Sequence, residues 1–287
     1  MQIVTDTGMD LSPEQREGLD FHLVPLTVTL DGKSYRSGID VDPQTFYELL
    51  MKAEGLPTTS QPAAGELATL YHQLAEVDSQ ILSIHISSGL SGTVNAARAA
   101  VGMAPEADVT IVDSKTLSGA FGWQVEAAAR AIKAGWVKEK VLAVVDQVSA
   151  ATDTLFTISD LTHLIHGGRI SHMKGLIASL LNIKPVIGVE KEGGTYVQKG
   201  QARTFKRAMQ KLVEIVGEQY AFGSVLRVQV MHANNLEGAQ ELKGLFGQHF
   251  DCKWLPIGSI APALGAHSGP TMVGAAYALA ANYPELP

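Results

Sequence analysis

The chain has 287 residues; 46% are hydrophobic and only 18% charged, so a large core is available and the mix suits an α/β protein with buried strands. A net charge of −7 without a basic run argues against nucleic acid or an anionic membrane as a partner. A single cysteine, Cys252, excludes an internal disulfide and a multi-cysteine zinc site.

Residues 2–5 read as a strand that begins at once. That leaves no room for a secretory leader, and Lys, Gly or Pro interrupts each apolar stretch before it reaches spanning length, so a cytoplasmic protein without stable membrane insertion is expected. The strand ends in a polar turn over 6–10, where Asp6 and Asp10 read as turn formers rather than cation ligands. Ser12, Pro13 and Gln15 mark a helix start with a capping box. Residues 24–30 alternate as a strand, and Asp31-Gly32 turns it into a hairpin. Asp42-Pro43 opens a helix whose apolar face is Phe46, Leu49, Leu50 and Ala53. Two prolines bracket Thr58, Thr59 and Ser60, so that segment is extended and cannot hide its hydroxyls in a helix.

A helix over 65–76 leads to the stretch around which the chain is organised: a buried strand over 80–86, a Ser/Gly turn, and a helix starting near Ser91. The turn carries Ser87, Ser88, Ser91 and Thr93 with Gly89 and Gly92 between them. Hydroxyls beside the positive end of a helix suit a carboxylate or phosphate, and an ordinary helix cap explains the same residues equally well. No Lys follows as in a phosphate-binding P-loop, and Gly92 follows Ser91 directly, which spoils a nucleophile elbow. A strand over 107–113, helices over 119–134 and 137–148, and a strand over 154–158 continue a β-α-β-α order that implies a mainly parallel sheet with flanking helices. Ligands of such sheets sit beyond the carboxyl ends of the strands, where Asp6, Ser87 and Asp113 all fall.

The character changes near Ser159, and the chain is expected to divide into an N-terminal α/β domain, 1–157, and a C-terminal α/β domain, 158–287. In the second, a short helix stops at His166-Gly167-Gly168-Arg169, residues 173–181 are very apolar, and strands at 184–189 and 196–198 form an antiparallel hairpin in a mixed sheet. A helix to about 219, a strand over 225–232, a helix over 236–246 and a strand over 251–256 follow. His267 falls in a Gly-rich loop that leads to a last helix expected over 271–281. His163, His166 and His172 lie close in sequence, yet no Cys or carboxylate is positioned with them, so no metal or other cofactor is expected.

Several short segments, in this order, carry a resemblance: Thr5-Asp6 with Asp10-Leu11, Thr59-Ser60-Gln61-Pro62, residues 87–93, Asp113-Ser114, Gly167 to Ile170, Lys184-Pro185, and 265–269 around His267. Over nearly its whole length the chain resembles the DegV family of fatty-acid-binding proteins, the carrier subunits of the bacterial fatty acid kinase system. The resemblance implies two α/β domains holding one long-chain fatty acid, palmitate- or oleate-like, between them. It implies that Thr59 and Ser91 hydrogen-bond the carboxylate, with His267 near it; the neighbouring hydroxyls Ser60 and Ser88 are further ligand-binding candidates. It also implies that Arg169 and Arg203 serve docking to a fatty acid kinase, which makes acyl-phosphate from the presented lipid. Two departures, Thr7-Gly8-Met9 and Ala63, touch secondary head-group contacts rather than Thr59 or Ser91.

Elementary energetics fit that implication. A buried carboxylate needs several donors, which two hydroxyls, a His and a helix start supply. For the tail, Leu176, Ile177, Leu180 and Leu181 are the expected lining. Burying about 14 methylenes at ~0.8 kcal/mol each has an upper bound near ~11 kcal/mol before association costs. The expected protein is therefore a lipid carrier and not an enzyme. The alternative is an esterase-like hydrolase with Ser91 as nucleophile and His267 as base, oriented by Asp6 or Asp113.

Overall fold

The computed structural model describes residues 1–173 and 183–287. The first half supplies β1 (Gln2–Asp6), β2 (His22–Val24), β3 (Thr27–Leu30), β4 (Lys33–Arg36), β5 (Thr58–Ser60), β6 (Gln80–His85) and β7 (Asp108–Asp113). Then come β8 (Thr152–Thr157), β9 (Lys184–Val189), β10 (Tyr196–Ala202), β11 (Val225–His232), β12 (Asp251–Trp254), β13 (Gly258–Ser259) and β14 (Val273–Leu279). Among the described residues the fold is α/β with three sheets. One is parallel throughout, in the order β2-β1-β6-β7. A small antiparallel sheet, β4-β3-β5, carries Thr59 on its edge strand. The third is mixed, in the order β10-β9-β8-β14-β11-β12 with β13 also on β11.

The apolar strands β1 and β6 lie inside the parallel sheet, and their carboxyl ends lead to Asp6 and the Ser/Gly turn, side by side as expected. Asp6 ties these ends together: its carboxylate accepts from Gly8 N and Ile86 N, both at 2.9 Å, and meets His85 Nδ1 at 3.0 Å. The helix Ser118–Lys133 joins the two large sheets. Nearly all of its residues are buried, because it is covered from both sides. Trp123 Nε1 donates to Gln229 Oε1 on β11 at 2.7 Å. One apolar core therefore runs from Ile84 on β6 through Phe121 to Phe156 and Met231 in the mixed sheet.

Three expectations need correction. Residues 273–279 form the strand β14, not a helix, and His267 sits in the last turn of a helix, Pro262–Ser268, not in a loop. The run Val-Gly-Ala-Ala-Tyr-Ala-Leu has helical propensity, but β14 is a central strand covered on both faces. Ala276 faces Gly119 of the buried helix, and Tyr277 on the other face packs against Phe246. Small residues are what that crowding admits, so tertiary context overrides propensity. β8 looks in sequence like the next strand of the parallel sheet, yet it pairs antiparallel with β14 and β9. We therefore propose a domain division before β8, at 151/152, in place of the one expected at 157/158. The candidates Leu176, Ile177, Leu180 and Leu181 lie outside the described residues.

Candidate functional site

Thr59, Ser91, Arg169 and His267 come from four distant segments and line one cavity of about 230 Å³, with Ser60 at its exposed edge. Each is placed by local chemistry. Thr59 stands on β5, held extended by the flanking prolines and by pairing with Val28. Ser91 ends the turn after β6, where its Oγ accepts from Thr93 N at 3.3 Å and lies 2.8 Å from Thr93 Oγ1. Ser91 Oγ thus takes up the first N–H of the helix Thr93–Val101, whose N-cap position is Gly92, and Ser91 also lines the cavity. The helix bearing His267 starts at Pro262, and the N–H of Ala261, at the N-cap position before it, donates to the buried Asp10 carboxylate at 2.9 Å. Ser118 donates to the same carboxylate at 2.6 Å. Burial still dominates there and raises the Asp10 pKa to about 7.

His267 Nε2 shares a 2.7 Å hydrogen bond with Thr59 Oγ1. Its ring lies against bare backbone: a Cβ on Gly167 would come within 1.9 Å of Nδ1, so only glycine fits there. Nδ1 is buried and has no partner among the described residues. Burial, then the positive charge of Arg169 and the neighbouring His163 and His166, lower the His267 pKa to about 4, so the ring is neutral at pH 7. We assign the proton to Nε2, because the opposite tautomer would leave a buried N–H without an acceptor. With that tautomer Thr59 accepts from His267, and its own hydroxyl hydrogen is released to point into the cavity.

For Arg169 the resemblance implied a role in docking a partner. It is half-buried on the cavity wall, where Nε donates to Leu90 O at 3.1 Å and Nη1 donates to Gly167 O at 2.6 Å. Two backbone carbonyls thus fix its guanidinium. No carboxylate lines the cavity among the described residues, so its one charged wall residue at neutral pH is a cation. The arrangement suits an anion. Arg203 is exposed just past the end of β10 and is not part of this wall. Ser88 also lies apart: its Oγ and N both donate to Asp113, at 2.5 and 3.0 Å.

The triad of the hydrolase alternative is not assembled. Ser91 pairs with Thr93 and His267 with Thr59, while Asp6 and Asp113 are engaged by His85 and Ser88. Among the described residues no group of three or more His, Cys, Asp and Glu is placed to hold a metal ion, and no helix is long and apolar enough to cross a membrane.

Leu264 was missed in the sequence. It lies one turn before His267 on the same helix face, a spacing that becomes visible once 262–268 is known to be helical. It lines the polar cavity and also an apolar slot between the buried helix and the mixed sheet. Phe156, Tyr196, Met231, Ile260 and Met272 form much of the slot, whose open volume of about 30 Å³ is close to that of one water molecule.

The fold and site together define an α/β protein with an anion-suited cavity that adjoins an apolar slot. Residues 1–280 match the model of the DegV family, described as an uncharacterised protein family, and the chain belongs to that family. Protein DegV of Bacillus subtilis is 36% identical over 241 residues, covering 84% of this chain and 85% of its own. A DegV domain-containing protein of Staphylococcus aureus is 35% identical over 272 residues, covering 95% and 96%. Among solved structures, a fatty-acid-binding DegV family protein from Thermus thermophilus superposes with a TM-score of 0.87 at 27% identity, over 97% of this chain and 99% of its own. DegV of Bacillus subtilis, described as a fatty acid binding protein, superposes with a TM-score of 0.84 at 32% identity, over 97% and 98%.

Proposed function

We propose that this protein binds one long-chain fatty acid, without catalysing a reaction on it, and presents it to a fatty acid kinase. The observation that carries the reading is the junction at Leu264, where a cavity with a fixed arginine meets an apolar slot. A molecule with one anionic end and a long apolar remainder fits that pair of environments. The carboxylate accepts from Thr59, Ser91 and Arg169, which line the cavity together. His267 stays neutral and holds Thr59 in its donating orientation. The tail passes Leu264 into the slot, where Met272 gives way, since an unbranched thioether side chain repacks at low cost.

Presentation is the second part of the reading. Solved relatives described as fatty-acid-binding proteins support binding; transfer to a kinase rests on the sequence resemblance and on Arg203, an exposed cation outside the cavity. A long-range charge of that kind raises the rate of encounter with an anionic partner surface. Lipid extraction tests the binding reading. Protein purified from a bacterial host should yield about one fatty acid per chain by mass spectrometry, because a buried tail leaves slowly. Extracts without fatty acid, combined with no uptake of added palmitate or oleate, would refute it.

A further inference from the structure

Behind the slot lies a larger space. A crevice of about 440 Å³ runs between the first polar turn and the loop after β13, with Leu11, Leu23, Ile257 and Pro262 among its walls and Arg16 and Asp42 at its exposed rim. The partition between slot and crevice is one side chain thick in three places. Ile260 lines the slot while its neighbour Ala261 lines the crevice. Ser118 lines the slot and donates to Asp10, which lines the crevice. Met231 lines the slot and rests on Gly258, which lines the crevice.

The first two contacts are backbone or are pinned by a buried hydrogen bond. The third is a flexible side chain lying between two glycines. A Cβ on Gly119 would stand 3.5 Å from Met231 Sδ, and one on Gly258 only 2.6 Å from Met231 Cε. Met231 is buried and carries no polar group, its terminus packs directly on Gly258, and its unbranched side chain can change rotamer.

We propose that Met231 is the residue that sets the longest acyl chain this protein holds, by closing the slot off from the crevice. This rests on the reading of the slot as the site of a fatty acid tail. With Met231 in place, a tail is confined to the space made by repacking the slot. With Met231 cut back, additional methylenes enter the crevice along Leu11, Leu23 and Ile257.

The geometry allows a test in both directions. Met231→Ala removes the partition. Gly258→Ala acts from the far side, since its new methyl group displaces the Met231 terminus into the slot without touching the lipid. Competition titrations with myristate, palmitate, stearate, arachidate and behenate read the outcome. Met231→Ala should raise affinity for arachidate and behenate relative to palmitate by about tenfold or more. Gly258→Ala should shift preference from stearate toward myristate by about tenfold. Retained palmitate binding with an unchanged chain-length profile in both variants would overturn the assignment of Met231 alone. Failure of the unaltered protein to bind any of the five acids would overturn the fatty acid reading and this one with it.

Discussion

The two ends of the proposed lipid site are built by opposite means. The polar cavity is made of short loops and element ends whose side chains are tied down: Arg169 by two carbonyls, His267 by Thr59, Ser91 by its own helix. The apolar slot is made of strand and helix residues in the core, has no anchoring hydrogen bonds to its apolar side chains, and contains two methionines. The difference teaches where discrimination resides. Donors fixed before the ligand arrives lose little freedom on binding and reject a head group that cannot accept from them. A methionine-bearing slot accepts a range of shapes at small cost.

The largest expected break in this comparison comes from Arg169. Arg169→Ala removes a charge-assisted donor and leaves a buried carboxylate short, which should cost about 2–5 kcal/mol of palmitate affinity in a fluorescence titration. Retention of full affinity would move the anion site elsewhere. Ser91→Ala and Thr59→Ala each remove one hydroxyl, and each should cost about 1.5–3 kcal/mol, roughly tenfold or more in Kd, with the fold intact by circular dichroism.

A smaller effect sharpens the contrast through pH. Burial raises Asp10 from 3.8 to about 7, so between those values the folded chain binds a proton that the unfolded chain has released. That contribution is present in full below 3.8 and is lost as pH rises through 7. His267 runs the other way: lowered from 6.5 to about 4, it contributes stability above 6.5 that is lost as pH falls through 4. From pH 4 to 6.5 the two slopes oppose each other and cancel. Asp10→Asn should therefore add a dependence of about 1.4 kcal/mol per pH unit, rising with pH, and His267→Gln one of the same size, falling with pH. Denaturant melts across that window measure both. Parallel curves for all three proteins would mean that neither group titrates as its burial implies.

The smallest effect on lipid belongs to Arg203, which is exposed and outside the cavity. Arg203→Ala should change palmitate affinity by less than ~0.5 kcal/mol. Acyl-phosphate formation with a cognate kinase and ATP should fall about tenfold under the same conditions. Loss of both in parallel would place Arg203 in the lipid site.

The parts of the proposed polar end stood out locally in the sequence, and the family resemblance, not their spacing, implied that they act together. Thr59 between two prolines, Ser91 among turn glycines and His267 between Gly265 and Gly269 each stand out within a few residues. The alternation of strands and helices that forms the parallel sheet was legible for the same reason. The tail end was not. Phe156, Tyr196, Met231, Leu264 and Met272 come from separate segments, and each reads as ordinary core until the sheet order brings them together. The strand β14 was hidden by its alanines, which look helical when their covering helices are unknown. Arg169 could be found as a loop arginine, but its turn inward toward Leu90 depends on a chain segment 79 residues away.

The central claim is that head and tail occupy these two environments at once, with Leu264 at the junction. A crystal structure with palmitate brominated at its terminal carbon tests it most directly, because anomalous scattering locates the tail end independently of the carboxylate. The expected result places the carboxylate within hydrogen-bond distance of Thr59, Ser91 and Arg169, and the bromine inside the slot beside Met231 or Met272. A carboxylate at another site, or bromine on the protein surface, would contradict the account.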